Sequence, residues 1–249
     1  VATGAWCGPG LWRSLARQGL TKLGVDAEEG GLREVLLVFE ELGRASCPAP
    51  LMGAVLINLL ARRLGGAAEG LGSLSEALHS GSAVAAIAFG DFDGDEAAGQ
   101  IALRNGGVSG RVAFVENAAT ATHFVLFVDA PAGVVVLPAD AASSVVPTPG
   151  LPIPALSELS FSGTNAALVE VLGARLAELA DVARLCCAAR ALGAAQRGFE
   201  LALDHAKTRK QFGQFIGQFQ AIQHKLADCL IRLDGARLTL DAAAMAFDR

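Results

Sequence analysis

The 249-residue chain carries 20 Lys and Arg against 25 Asp and Glu, a formal charge of −5, and 52% of its residues are apolar, enough for a large buried core. An acidic chain with no long Lys or Arg run lacks the field that draws nucleic acid, so no nucleic-acid partner is expected. No apolar stretch reaches bilayer length without Gly, Pro or charge, and no basic-then-apolar leader opens the sequence, so no membrane contact is expected either.

From Leu11 to about Ser80 the spacing is helical: Val35, Val38, Phe39 and Leu42 recur every three or four residues, and Leu51 to Leu64 continues as an apolar helix. Glu28-Glu29-Gly30-Gly31 and Cys47-Pro48-Ala49-Pro50 read as the loops that join short helices. Between Ala83 and Val171 the pattern changes to short β-branched or apolar runs bounded by Gly, Asp, Asn and Pro. These runs are Ala83–Phe89, Val108–Val115, His123–Val128, Gly133–Leu137 and Ala167–Val171, and they predict a compact antiparallel β domain.

From Arg175 onward there is no proline, and Leu185, Ala188, Leu192, Ala195, Phe199 and Ala202 mark one face of a long helix. Beyond Lys207–Gln214 a second helix repeats the pattern at Ile222, Leu226, Cys229, Leu233, Ala236, Leu240, Ala243 and Phe247. Two such stripes predict an antiparallel pair with the intervening loop at one end. Two helices bury only one seam, so the chain is expected to be incomplete or an obligate oligomer. The sequence opens at Val1 rather than Met, and part of the N-terminus is expected to be absent.

Cys7, Cys47, Cys186, Cys187 and Cys229 are odd in number and form no CxxC pair, which reads as small buried hydrophobes in a reducing cytoplasm. His79, His123, His205 and His224 are not spaced to share a metal on one helical turn, so no metal is expected. The densest chemistry lies between the two long helices, where Lys207, Arg209 and Lys210 are followed by Gln211, Phe212 and Gly213. A guanidinium fork can bond two phosphate oxygens, a Phe ring can pack on a purine, and Gly admits close backbone approach. The same residues also suit a structural role, with the cations at the carboxyl end of a helix dipole and Phe212 plugging the bundle end.

The run from Ala188 to Ala244 resembles the carboxy-terminal domain of acyl-CoA dehydrogenases. The resemblance is carried by Gly193, Ala194, Gln196, Arg197, Lys207, Arg209-Lys210-Gln211-Phe212-Gly213, Ile216, Phe219-Gln220-Ala221-Ile222-Gln223-His224 and Leu226-Ala227-Asp228. Glu40-Glu41-Leu42-Gly43-Arg44 is similar to the family's N-terminal helix. The resemblance implies an α+β chain with an N-terminal helical domain at 1–80, a middle antiparallel β domain at 81–172 and a C-terminal helical bundle at 173–249, incomplete here.

It further implies that Arg209, Gln211, Phe212, Gly213 and Gln220 contact an FAD bound mainly by a neighbouring subunit, and that Asp181 and Arg184 lie beside an acyl-CoA cleft. Where the family places a Thr-Glu-Pro-Gly-Ser-like flavin segment, this chain has Gly90-Asp91-Phe92-Asp93-Gly94-Asp95. Where it tends to place a Trp and a Thr against the isoalloxazine, small or apolar residues stand around Ala113 and Val115. A catalytic Glu is expected beyond the second long helix or just before Arg184, and the latter position is Ala183, so no catalytic residue is assigned.

These departures are similar to the non-catalytic, β-type subunit of heteromeric actinobacterial acyl-CoA dehydrogenases of steroid side-chain degradation. Such a subunit implies an acyl-CoA substrate, a second dehydrogenase subunit as partner, and an electron-transfer flavoprotein or similar acceptor. Two alternatives stay open: a self-sufficient homo-oligomeric dehydrogenase whose C-terminal catalytic helices are missing from the sequence, and a non-redox structural or acyl-binding member of the fold.

Overall fold

The computed structural model describes residues 8–25, 30–64, 71–89, 99–128, 131–150 and 153–248. By internal contacts the chain divides into two compact units, Val1–Gly31 with Pro48–Ala183, and Leu32–Cys47 with Arg184–Arg249.

The first unit begins with α1 (Gly8–Arg17), which buries Trp12 and Ala16 one turn apart. The Trp12 indole N–H donates to the Ala83 carbonyl at 2.9 Å, so the one polar atom of a fully buried ring is satisfied. Helix α3 (Leu51–Leu64) is buried at every position from Leu51 to Leu60, as expected of a helix that is apolar all round. Its Gly53 passes so close to β1 (Ala85–Ala88) that a Cβ there would collide with the Ala85 carbonyl.

Asn58 is the polar exception on α3. Its amide donates to the carbonyls of Thr21 (2.9 Å) and Leu23 (3.0 Å), which leaves the side-chain oxygen to accept from Ser75 (3.1 Å) and to meet His79 Nε2 (2.9 Å). Ser75 and His79 lie on α4 (Leu71–His79), so one buried amide ties three stretches of chain together.

Two four-stranded sheets follow, ordered β1-β4-β5-β8 and β2-β3-β7-β6. Their strands are β2 (Ile101–Arg104), β3 (Gly107–Glu116), β4 (His123–Val128), β5 (Gly133–Pro138), β6 (Ser144–Pro147), β7 (Leu156–Asn165) and β8 (Leu168–Glu170). Phe124, Leu126, Val135 and Leu137 of one sheet share a core with Val108, Val112, Val115, Leu159 and Phe161 of the other, and Phe124 meets Phe161 edge to face at 6.2 Å.

The antiparallel expectation needs one correction. β1 pairs with β4 in parallel, Ala85 beside His123 through Ala88 beside Leu126, because the chain crosses to the second sheet before returning. Strands β2, β6 and β7 fall outside the predicted runs. β7 reads Leu-Ser-Glu-Leu-Ser-Phe, whose serines mask an alternation in which Ser157, Leu159 and Phe161 turn inward.

Helix α5 (Gly173–Thr208) runs from the first unit into the second. In the second unit it is joined by α2 (Leu32–Arg44) and α6 (Gln220–Phe247). α2 and α5 cross at two glycines: a Cβ on Gly43 would overlap the Arg190 carbonyl, and one on Gly193 the Glu40 carbonyl. The Arg190 guanidinium lies 5.2 Å over the Phe39 ring, Arg44 pairs with Glu200 at 2.9 Å, and Arg237 of α6 pairs with Glu40 at 2.6 Å. The Asp248 carboxylate accepts the first free N–H groups of α2, those of Leu32 (2.9 Å) and Arg33 (3.3 Å), and so caps a helix more than two hundred residues upstream.

The predicted apolar stripes of α5 and α6 do line one groove, of about 930 Å³, with Leu185, Leu192 and Phe199 on one side and Leu226, Leu233 and Leu240 on the other. They share that groove without filling it.

Candidate functional site

At the carboxyl end of α5 the chain must reverse within a few residues to start α6. The last helical bonds are closed by the Thr208 hydroxyl, which donates to the Asp204 carbonyl (2.9 Å), and by the Arg209 N–H, which donates to His205 (2.9 Å). A two-residue hairpin follows, β9 (Lys210–Gln211) against β10 (Gln214–Phe215), with Phe212 and Gly213 as its tip. Both tip residues are left-handed, φ 51° and 81°, which is the turn whose twist suits a hairpin. Gly takes that conformation freely and Phe does so at a cost of about 1–3 kcal/mol, so the fold holds the ring there against its own backbone preference.

The outcome is a projecting finger. Phe212 is 91% exposed, so it does not plug the helix pair. Arg209, Lys210 and Gln211 are exposed, and the side chains of Arg209 and Gln211 have no bonding partner among the described residues. Lys210 Nζ lies 4.8 Å over the Phe215 ring, and Phe212 meets Phe219 edge to face at 6.2 Å and 87°. A free guanidinium, an outward planar ring and a glycine backbone are what an anionic nucleotide diphosphate presented from outside the chain could engage.

Arg209, Gln211, Phe212 and Gly213 therefore share one hairpin, and Gln220, exposed at the first residue of α6, stands a few residues beyond it. Asp181 and Arg184 are exposed on α5 on either side of buried Val182 and Ala183. At about 1.5 Å per residue Arg184 lies roughly 36 Å from the hairpin end of that helix, so the chain does not gather the two residue sets into one site. The Gly90–Asp95 segment lies outside the described residues.

Phe114 is a feature that the sequence concealed between Ala113 and Val115. A bulge in β3 opposite β7, between Val112 and Val115, turns Phe114 to φ 60° and leaves it 52% exposed. Strict alternation along β3 gives no sign of this, because the register shift that turns the ring outward has no marker in residue type. Among the described residues no group of three His, Cys, Asp or Glu side chains is placed to hold a metal, and no helix is long and apolar enough to cross a membrane.

Residues 173–249 match the family described as acyl-CoA dehydrogenase, C-terminal domain. The acyl-CoA dehydrogenase IpdE2 of Mycobacterium tuberculosis is 30% identical over 251 residues, covering 95% of this chain and 65% of its own length. The chain thus spans just under two thirds of that relative. The steroid ACAD Tcur3481-Tcur3483, in a G363A variant, is similar at a TM-score of 0.82 with 27% identity, over 97% of this chain and 69% of its own.

The ChsE4-ChsE5 complex from Mycobacterium tuberculosis gives a TM-score of 0.74 and 26% identity, over 96% of this chain and 68% of its own. The FAD complex of PigA gives 0.76 and 25%, over 97% and 71%. With helices, β domain and helices in the same order as in these structures, the chain has the acyl-CoA dehydrogenase fold, and its last third matches that family's C-terminal domain.

Proposed function

We propose that this chain is the β-type partner subunit of a heteromeric, FAD-dependent acyl-CoA dehydrogenase, and that its finger completes an FAD site held mainly by a second subunit. The observation that carries this reading is the hairpin itself: Arg209 is exposed with no side-chain partner among the described residues, and Phe212 beside it is 91% exposed. The ChsE4-ChsE5 and Tcur3481-Tcur3483 names, each joining two proteins, support a heteromeric assembly.

Bound FAD would supply the acceptor for the hydride that leaves the β carbon of the acyl-CoA. This chain's part is electrostatic and positional. The Arg209 fork faces the diphosphate, Phe212 offers a ring to the adenine side, and Gln211, Gly213 and Gln220 give polar and backbone contacts. Ala183, where a base on α5 would stand, is a buried alanine, and in this reading a carboxylate of the other subunit takes the proton. Asp181 and Arg184 are assigned to the acyl-CoA, and an electron-transfer flavoprotein or similar acceptor would be the redox partner of the assembly.

The test is FAD dissociation from the co-expressed assembly, wild type against Arg209→Ala. A charge-assisted bond to phosphate is worth on the order of 1.5–3 kcal/mol, so affinity is expected to fall roughly ten- to a hundredfold. Unchanged affinity would overturn the interface-FAD role.

A further inference from the structure

We infer that Phe219 is a positioning residue: its ring, fixed at the foot of α6, holds the exposed Phe212 ring in the orientation in which the finger meets its ligand. The inference rests on the FAD reading of the same hairpin.

The two rings stand on very different supports. Phe212 sits at the tip of a two-residue turn, 91% exposed, and in solvent such a ring would sample several rotamers. Phe219 is half-buried and braced through its backbone. Its N–H donates to the Ile216 carbonyl (3.1 Å), and its own carbonyl accepts from the N–H groups of Ile222 (3.0 Å) and Gln223 (3.1 Å) in the first turn of α6.

The tight turn at Ile216–Gln218 that delivers Phe219 is itself seated on α5. A Cβ on Gly217 would stand 2.9 Å from the Ala206 carbonyl oxygen, and the Gln223 side chain donates to the Gly217 carbonyl at 2.9 Å. The Ile216 N–H closes the base of the hairpin by donating to the Arg209 carbonyl at 2.9 Å.

Backbone bonds at the start of α6 thus fix the residue whose ring is the aromatic partner of Phe212, 6.2 Å away at 87° in the favoured edge-to-face arrangement. A finger whose ring is already ordered loses less freedom when its ligand arrives, and the gain appears as affinity. Residue size alone would not serve here, because an aliphatic side chain at 219 would fill the same space without directing the Phe212 ring.

The experiment compares Phe219→Leu, Phe219→Tyr and Arg209→Ala in the co-expressed assembly, reading the FAD dissociation constant by flavin fluorescence and folding by circular dichroism. Phe219→Leu is expected to weaken FAD roughly two- to tenfold, the range an aromatic pair commands, while Phe219→Tyr stays at the wild-type value. Trypsin cleavage after Arg209 and Lys210 should quicken in Phe219→Leu alone of the two. Wild-type affinity in Phe219→Leu, or equal weakening in Leu and Tyr variants, overturns the positioning role. If Arg209→Ala weakens FAD while Phe219→Leu does not, only the role of Phe219 falls; if Arg209→Ala leaves affinity unchanged, the cofactor reading beneath it falls.

Discussion

Phe212 keeps a φ of 51° although asparagine or glycine would hold that turn more cheaply, so its ring is bought with backbone strain. Phe212→Asn is expected to leave the unfolding free energy within about 1 kcal/mol, since relief of the turn offsets the lost ring contact. The same change should weaken FAD binding in the assembly; thermal unfolding and flavin titration measured side by side check both halves. The identity of this residue was legible in the sequence as part of Arg209–Gly213, but its exposure was not. Gln-Phe-Gly-Gln lacks the Asn-Gly or Gly-rich pair that announces a tight hairpin, and a ring between helices reads equally well as a plug.

His123, the first residue of β4, is the residue at which pH should be felt. Burial lowers its pKa below the ordinary imidazole value of about 6.5, and Nδ1 lies 2.9 Å from the Thr122 hydroxyl. The folded state therefore favours the neutral ring. Its contribution to stability is present in full above the unfolded pKa and is lost as pH falls through that value toward the lower folded one. Melting temperatures at pH 7.5 and 5.5 should show a larger drop for wild type than for His123→Gln, and equal drops would refute the assignment.

Among the elements, the crossing of α2 and α5 depends on what glycine lacks. Gly43→Ala or Gly193→Ala would push a methyl group into a backbone carbonyl of the opposing helix, and each is expected to cost about 1–3 kcal/mol or more. Gly198 lies on the same α5 with nothing within 4 Å of its would-be Cβ, so Gly198→Ala should instead stabilise by about 0.5–1 kcal/mol. Urea unfolding of the three variants checks the contrast, and a Gly198 variant as damaged as the other two would discredit it. Nothing in residue spacing separates these glycines, because a close crossing is a property of two helices and the sequence shows each alone. The helical stripes of α5 and α6 were readable for the opposite reason: burial repeating every three or four residues leaves its mark within one segment. The Phe114 bulge and the Ser-rich strand β7 were hidden because their inward faces depend on register with a neighbouring strand.

For the whole molecule, the order of helices, strands and helices could be read along the chain, whereas the grouping of α2 with α5 and α6 could not. That grouping rests on Arg44 with Glu200, Glu40 with Arg237 and Leu32 with Asp248, partners that lie 156 to 216 residues apart. The Asp248 cap has a consequence for the newborn protein. During synthesis α2 emerges early, and the whole of Pro48–Ala183 must follow before the first residue of α5 that it packs with. A thirteen-residue helix is marginal by itself, and its first N–H groups have no carboxylate to receive them until Asp248 is made. Leu32, Val35, Leu36 and Phe39 therefore have no α5 to bury against until Pro48–Ala183 has been made, which leaves this short stripe open to a wrong partner during synthesis.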